Sequence, residues 1–344
     1  GDLGIEATGL DSRHGFLLRG SGEGVLGFTA DAVFLHQILG SDAHVVIVER
    51  IPQAIADHRV DDLRVTHAQT GARARHDVVG QARIYAALAT TPGAPPVPRI
   101  VHVEESADVL GAPFFIMGRI AGDSVNDIEM QPWFTDASAA VRTQMCCDWV
   151  TAFGNLARLS PLDVLGAPVS PEDDLRMWQR FAHGADCPSL VDMIERLLKV
   201  SAPLSGSPAV IQGDSKLSNL MWDKYRITAM LDWEMSLNGE PLADLGYMLY
   251  QFESEYHEAT RAQKLSGMLN RDQVIALWQE VSGRSAKGII WHEIAQIAKI
   301  TAIIAEGTNM FNTGRSTDPK LAYFKQNLDH YLGVVAAMLA GAGY

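Results

Sequence analysis

The chain has 344 residues, of which 47% are hydrophobic and 20% charged, the composition of an ordinary globular protein with a sizeable core. Its formal net charge is −13, whereas a nucleic-acid or anionic-membrane partner would call for a dense cationic patch. The composition therefore argues against both of these partners and leaves a cationic substrate or simple solubility as explanations of the charge.

The first fifty residues have the pattern of strands separated by turns. GEGVLGF and AVFLHQIL flank a short polar loop, and HVVIVERIP is a β-branched run that Pro52 closes. Together these segments predict an antiparallel meander.

A helix and two further strands are predicted next. Ala72 to Leu88 has apolar residues at helical spacing, and the Pro-rich segment TPGAPPVPRI ends this helix. VHVEE and the apolar run GAPFFIMGRI then predict strands.

The pattern changes after Gly122, where long helical periodicities begin. They cover Ala137–Ser160, Asp173–His183, Leu190–Val200, Arg271–Ser282, Lys287–Phe311 and Asp318–Leu339. A β-rich first third followed by a mostly helical remainder predicts an α+β fold with two lobes, residues 1–117 and 118–344. No long linker separates them near Met117–Gly122, so we expect the lobes to face each other across a ligand-binding cleft.

The cysteines and the apolar runs indicate a cytoplasmic, soluble protein. Cys146, Cys147 and Cys187 form neither a disulfide framework nor a metal-ligand pattern, and we expect all three to be buried. The first residues lack the pattern of a signal peptide, and no apolar run reaches membrane-spanning length.

One short segment, Ile211 to Glu234, carries the residues that phosphoryl transfer requires. Asp214 follows the turn-forming Gly213, Asn219 comes five residues later, and Asp232 follows the apolar run ITAML. The reaction needs a carboxylate near the attacking hydroxyl, oxygen ligands for Mg²⁺ and cations along the phosphates. Each residue alone has a simpler interpretation as a turn, a cap or a strand end, but their joint occurrence favours the functional one.

These motifs resemble those of the aminoglycoside phosphotransferase and choline kinase superfamily. QGDSKLSN is similar to its HGDxxxxN catalytic loop, LDWE to its metal-binding motif, and PLADLGYMLY to its P-x-x-D-L-A-Y segment. VPRIVHVEESADVLGAPFFIM resembles a stretch of the branch that includes the phosphotransferase domains fused to acyl-CoA dehydrogenases. The resemblance implies a bilobal protein-kinase-like fold, with an antiparallel sheet and one helix before a mostly helical lobe.

The resemblance also implies roles for the segment's polar residues. Asp214 would be the catalytic base, and Lys216 would contact the transferred phosphoryl group. Asn219 and Asp232 would hold Mg²⁺. Asp244 would be structural, accepting backbone hydrogen bonds that brace the catalytic loop.

The resemblance places an ATP site in the first lobe. Gly27 and Thr29 fall in the loop that covers the phosphates, and Arg50 falls at the cationic position of the third strand. Met117, Gly118 and Ile120 belong to the hinge, where the backbone of Gly118 and Ile120 would pair with adenine. Taken alone, Gly27 would be an ordinary turn and Arg50 a solvated strand residue.

Two positions depart from the family pattern. Gln212 stands where relatives have a His that braces the loop, and Gln81 stands where they have a Glu that pairs with the third-strand cation, here Arg50. A neutral amide loses the charge-assisted part of such a pair. The alternative function is therefore a degenerate kinase that binds nucleotide without turnover, although the intact base and metal ligands favour an enzyme.

The predicted function is an ATP- and Mg²⁺-dependent phosphotransferase that acts on a hydroxylated small molecule. Its acceptor stays open between aminoglycoside-like, macrolide-like and hydroxyacyl compounds. Candidate acceptor contacts, each also explained as solvated carboxylate or helix core, are Asp123, Asp127, Glu129, Trp291, Phe311 and Tyr323. A protein kinase is disfavoured because no extended activation segment with an Ala-Pro-Glu signature follows LDWE.

Overall fold

The computed structural model of the protein describes residues 77–108, 113–126, 130–316 and 319–344, together with short strands at 6–7, 18–19, 32–39, 42–49 and 63–67. Antiparallel strand pairs dominate the first third of these residues, and helices dominate the rest, which confirms the predicted α+β fold. The chain divides into two compact units: the first holds most of the residues up to Ile120, and the second holds everything from Ala121 onward together with Thr90–Val97.

The first unit is built on antiparallel strand pairs. Its described strands are β1 Glu6–Ala7, β2 Leu18–Arg19, β3 Ala32–Leu39, β4 Asp42–Glu49, β5 Leu63–His67, β6 Ile100–Glu104 and β7 Phe114–Gly118. β3 and β4 pair from Ala32 opposite Glu49 to Leu39 opposite Asp42, which confirms this part of the predicted antiparallel meander, whereas its first segment, GEGVLGF, lies outside the described residues. β7 lies between β5 and β6, and β5 was not predicted.

One helix, α1 Val78–Thr90, completes the described part of this unit. It begins later than the predicted Ala72, because the Asp77 side chain accepts a hydrogen bond from the Gly80 amide at 2.8 Å and so caps the first turn. It ends before Pro92, as predicted. Tyr85 on its buried face packs against Phe115 of β7, with ring centroids 5.9 Å apart.

Helices form most of the second unit. They are α2 Pro132–Thr135, α3 Ala139–Leu156, α4 Pro171–Gly184, α5 Pro188–Leu197, α6 Leu242–Leu249, α7 Arg271–Ser282, α8 Ile289–Asn312 and α9 Pro319–Ala342. α7 has the predicted bounds because its ends are well signalled: Asn270 and Gln273 form a capping box, and Gly283 closes the helix in a left-handed conformation. α2 and α6 were not predicted as helices.

The core of this unit surrounds α8. Trp291, Ile294 and Ile297 of α8 are at most 1% exposed and belong to one apolar cluster with residues of α4, α5 and α9, including Trp178, Leu190 and Val335. Trp291 is therefore a core residue, and of its two interpretations, acceptor contact or helix core, the structure favours the second. Among the described residues, no helix is long and apolar enough to cross a membrane.

Short strands of the second unit set the positions of two loops. β9 Ala209–Ile211 pairs with β12 Leu237–Gly239, and β10 Leu220–Asp223 pairs with β11 Arg226–Met230. β8 Asp123–Ser124 adds to β10. The strands leave residues 212–219 and 231–236 as neighbouring loops, joined where the Leu231 amide donates to the Asn219 carbonyl at 2.8 Å.

Candidate active site

The loop after β9, residues 212–219, turns sharply at Gly213. Gly213 has a φ of +85°, and a Cβ added to it would lie 2.4 Å from the backbone oxygen of Met235. Only glycine satisfies both constraints without strain. This turn places Asp214 inside the protein, where its side chain is 2% exposed.

Asp244, at the start of α6, braces the turn. Its two carboxylate oxygens accept hydrogen bonds from the Gln212 amide at 2.9 Å and the Gly213 amide at 2.8 Å. Its own carbonyl accepts a third bond from the Ser215 hydroxyl at 2.6 Å. The predicted structural role of Asp244 is confirmed.

Burial raises the pKa of Asp244 to about 6, against the opposing effect of the two backbone amides and the Lys299 ammonium. Below that pH the carboxyl gains a proton, and one of its oxygens then becomes a donor facing an amide donor. We therefore expect turnover to fall as the pH drops through about 6, measured as kcat against pH. The Asp244→Asn variant cannot titrate, so it should be slower at neutral pH and should lack this acidic limb.

Gln212 connects the two loops. Its side-chain nitrogen donates to the carbonyls of Leu231 at 2.9 Å and Asp232 at 2.7 Å, and its side-chain oxygen accepts from the Asp214 amide at 2.7 Å. Because all three partners are backbone groups, both ends of the amide are used. The departure from His at this position therefore preserves a connection between the loops 212–219 and 231–236.

Replacing Gln212 by alanine should remove this connection. The buried amide of Asp214 and the partly buried carbonyls of Leu231 and Asp232 would lose their partner, at a cost of up to about 1–3 kcal/mol each if water does not replace the Gln212 amide. We expect kcat to fall roughly 10- to 100-fold, with a lower unfolding midpoint, in assays of turnover and thermal unfolding. Gln326, exposed on α9, provides the matched control as Gln326→Ala. Unchanged kcat in Gln212→Ala would show that the connection is dispensable.

Asp214 carries its charge in a buried position beside two cations. Its Oδ2 lies 3.1 Å from the Lys216 Nζ, whereas its Oδ1 is buried and has no hydrogen-bond partner. Burial raises the pKa of Asp214, but the Lys216 ammonium, the neighbouring polar groups of Tyr247 and Asn219, and the Lys299 ammonium together hold it below its ordinary value. The carboxylate is therefore ionised, with one acceptor atom unfilled.

Asn219 and Asp232, on the two neighbouring loops, carry oxygen donors of the kind that suits Mg²⁺. The Asn219 Nδ2 donates to the Asp214 carbonyl at 2.7 Å, so the opposite atom of the amide is a carbonyl oxygen turned away from that bond. Asp232 has a φ of +59°, a conformation that aspartate tolerates better than most residues and that recurs at functional sites. An amide oxygen and a carboxylate are hard ligands, and phosphate and water would complete the shell of the ion.

Lys299, in the middle of α8, was not predicted. Its ammonium donates to the Gly213 carbonyl and lies over the rings of Trp178 and Tyr247, 5.4 and 5.5 Å from their centroids. The residue is 3% exposed. Its signal in the sequence was a single cation within the apolar helical run IIWHEIAQIAKITAII, where a buried charge requires a partner.

The predicted nucleotide residues belong to the first unit, where only some are described. Gly27, Thr29 and Arg50 lie outside the described residues, so their roles and the pairing of Gln81 with Arg50 stay predictions. The Gly118 amide already donates to the Arg99 carbonyl at 2.8 Å. That amide is thus occupied, and among the predicted adenine contacts the Ile120 backbone is the better candidate.

The candidate acceptor contacts separate into different environments. Asp123 is exposed in β8, and Phe311 and Tyr323 are 37% and 59% exposed, so these three are not core. Asp127 and Glu129 lie outside the described residues. A cavity between α4 and α8, lined by Asp174, Glu240 and His292 among others, has room for about one water at ≈ 20 Å³ and is too small for an acceptor.

Comparison with known proteins places this site in a family. A family model described as the phosphotransferase enzyme family matches residues 53–281, more than half of the chain. The mouse protein acyl-CoA dehydrogenase family member 10 is 26% identical over 180 residues, which cover 50% of this chain and 16% of that protein. The chain thus matches less than a fifth of this relative's length.

Two solved structures share the fold. A provisionally named aminoglycoside phosphotransferase from Ralstonia eutropha superposes with a TM-score of 0.70 at 17% identity, covering 92% of this chain and 94% of the other. The ADP-bound aminoglycoside phosphotransferase APH(2'')-Ib superposes with a TM-score of 0.50 at 12% identity, covering 90% and 94%. At these identities the likeness concerns the fold, and it confirms the kinase-like class that the sequence motifs predicted.

Proposed function

The chain belongs to the phosphotransferase enzyme family, and from that premise we propose that it transfers the γ-phosphoryl group of ATP to a hydroxyl of a small molecule, with Mg²⁺ as cofactor. The observation that carries the proposal is the Asp214 carboxylate, ionised in a buried position with Oδ1 unfilled beside Lys216. A buried acceptor without a donor is costly unless a ligand fills it, and an acceptor hydroxyl would do so.

In the proposed reaction, the acceptor hydroxyl donates a hydrogen bond to Asp214 Oδ1, and its oxygen attacks the γ-phosphorus. The bond from that phosphorus to the β–γ bridging oxygen breaks, ADP leaves with the electron pair, and the hydroxyl proton passes to Asp214. Lys216, whose Nζ lies 3.1 Å from the other carboxylate oxygen, would offer its ammonium to the transferred group. Asn219 and Asp232 would hold Mg²⁺, which when bound neutralises phosphate charge.

The bracing by Gln212 bears on the alternative of a silent nucleotide-binding protein. One ground for that alternative was the missing His, and the contacts of Gln212 with Asp214, Leu231 and Asp232 supply an equivalent connection. The unfilled Oδ1 of Asp214 would also accept a hydrogen bond from an acceptor hydroxyl, a contact that a protein binding only nucleotide would not need. Both observations favour turnover.

The test is ADP release from Mg-ATP in the presence of a panel of hydroxylated acceptors that includes amino sugars, macrolides and hydroxyacyl compounds. We expect acceptor-dependent ADP release, a phosphorylated product 80 mass units heavier by mass spectrometry (about the mass of the transferred PO₃ group), and loss of both with EDTA. Tight ATP binding with no acceptor-dependent turnover across the panel would favour the silent binding protein instead.

A further inference from the structure

Lys299 lies beyond residues 53–281, the part of the chain that the family model matches, yet its ammonium reaches the catalytic loop. It comes from the middle of α8, a helix held on several sides by the apolar core of the second unit. The Lys299 side chain is thus anchored to a rigid element rather than to a loop.

The partner of Lys299 is the carbonyl of Gly213, which belongs to the same peptide group as the Asp214 amide. In a trans peptide the carbonyl and the N–H point in opposite directions. On one side the carbonyl accepts from Lys299, and on the other the Asp214 N–H donates to the Gln212 side-chain oxygen at 2.7 Å. The peptide immediately before the proposed base is therefore clamped at both ends.

The surroundings of Lys299 act on its charge in opposite directions. Asp214 and Asp244 in the catalytic loop region and Asp174 on α4 attract its charge, and the faces of Trp178 and Tyr247 stabilise it further. Lys216 is the opposing cation. Burial is the largest effect and lowers the pKa of the Lys299 ammonium below its ordinary value, although the three carboxylates oppose it.

We propose that Lys299 is a positioning residue for phosphoryl transfer: together with Gln212 it fixes the Gly213–Asp214 peptide and thereby aims the Asp214 carboxylate at the acceptor hydroxyl. The inference rests on the proposed function of the same site. Lys299 touches the loop backbone and not the reacting atoms, so it acts through Asp214. A lysine with only a packing role would have no effect on the order of this peptide beyond its effect on overall stability.

The variant that tests the proposal is Lys299→Met, which keeps the length and apolar stem of the side chain and removes the donor and its charge. Lys287, exposed just before α8, gives the matched control Lys287→Met. The first readout is amide hydrogen exchange of the segment 211–216 in the intact chain without substrate. We expect exchange at the Asp214 amide to be about 10- to 100-fold faster in Lys299→Met, because the variant loses a charge-assisted hydrogen bond to the same peptide group. Exchange at this amide should be unchanged in Lys287→Met.

The second readout is kinetic. With an acceptor that supports turnover, Lys299→Met should lower kcat roughly 10- to 100-fold and leave the KM for ATP within about threefold, because Lys299 contacts the Gly213 carbonyl, Trp178 and Tyr247, none of which is a predicted nucleotide contact. Lys299→Gln retains a neutral donor and should recover part of both losses. If the wild-type protein shows no turnover, the proposed function fails, but the exchange measurement still decides the role of Lys299.

The outcomes that would overturn the proposal are distinct. The proposed clamp is refuted if Lys299→Met folds and shows wild-type amide exchange at 211–216. It is also refuted if the kcat of this variant is within twofold of the wild-type value. Failure of both Lys299→Met and Lys299→Gln to fold would also overturn it, because Lys299 would then be a requirement of the helical core. Unfolding midpoints measured for each variant separate that case from the others.

Discussion

Replacing Asp214 by asparagine should lower kcat by about a thousandfold, within the range expected for the loss of a base that orients the attacking group. The amide has the size and shape of the carboxylate but no negative charge, and it cannot take the hydroxyl proton. Its nitrogen would also face either Lys216 or the acceptor hydroxyl as a competing donor. ATP binding should persist, since the predicted adenine and phosphate contacts lie elsewhere in the chain.

The measurement is kcat with a productive acceptor, together with ATP affinity by calorimetry. Asp192, exposed on α5, provides the matched control as Asp192→Asn, for which both quantities should equal those of the wild type. Turnover in Asp214→Asn within tenfold of wild type would falsify the assignment of Asp214 as the base. Some loss of stability is expected as well, because Lys299 is 3% exposed and cannot turn to water when its anionic neighbour is neutralised.

The fold was predictable to the extent that local signals were strong. α7 was predicted to the residue because its capping box and its terminal glycine are both local in sequence. α6 was missed because PLADLGYMLY is short and buried almost all round, so it has no polar face to reveal a helical period. β5 was missed because its pairing with β7 is a contact between distant segments.

The active site was predictable where its residues are close together in the sequence. Asp214 and Asn219 are five residues apart in one motif, which singled out both, and in the structure the Asn219 side chain donates to the Asp214 carbonyl. Lys299 is 86 residues from its partner Gly213, and no local pattern relates the two. A single cation in an apolar helix indicates that a partner exists but not which residue it is.

Gln212 shows a different limit of sequence interpretation. Compared with the family motif, the residue is a substitution and suggests a weakened site. In the structure its amide makes three backbone contacts, with both a donor and an acceptor end in use. Whether a substitution preserves function depends on the geometry of its partners, which the motif does not contain.

Replacing Asp244 by alanine should be the most destabilising of the changes considered. The variant leaves the amides of Gln212 and Gly213 buried without acceptors and removes an anion from the surroundings of Lys299. Removing one member of a buried charged network costs about 3–5 kcal/mol of unfolding free energy, and we expect a loss of that size in denaturant unfolding. The matched control is Asp192→Ala, whose exposed carboxylate should contribute less than about 0.5 kcal/mol.

The two aspartates can be separated even though both variants should be nearly inactive. Asp214→Asn should lose turnover while the loop stays ordered, so exchange at 211–216 should change little. Asp244→Ala should lose turnover because the Gly213 turn is no longer held, so exchange there should rise even at temperatures where the rest of the protein is folded. An Asp244→Ala variant with wild-type stability and a protected loop would mean that the turn is fixed by Gln212 and Lys299 alone, and that the carboxylate of Asp244 is not needed to hold it.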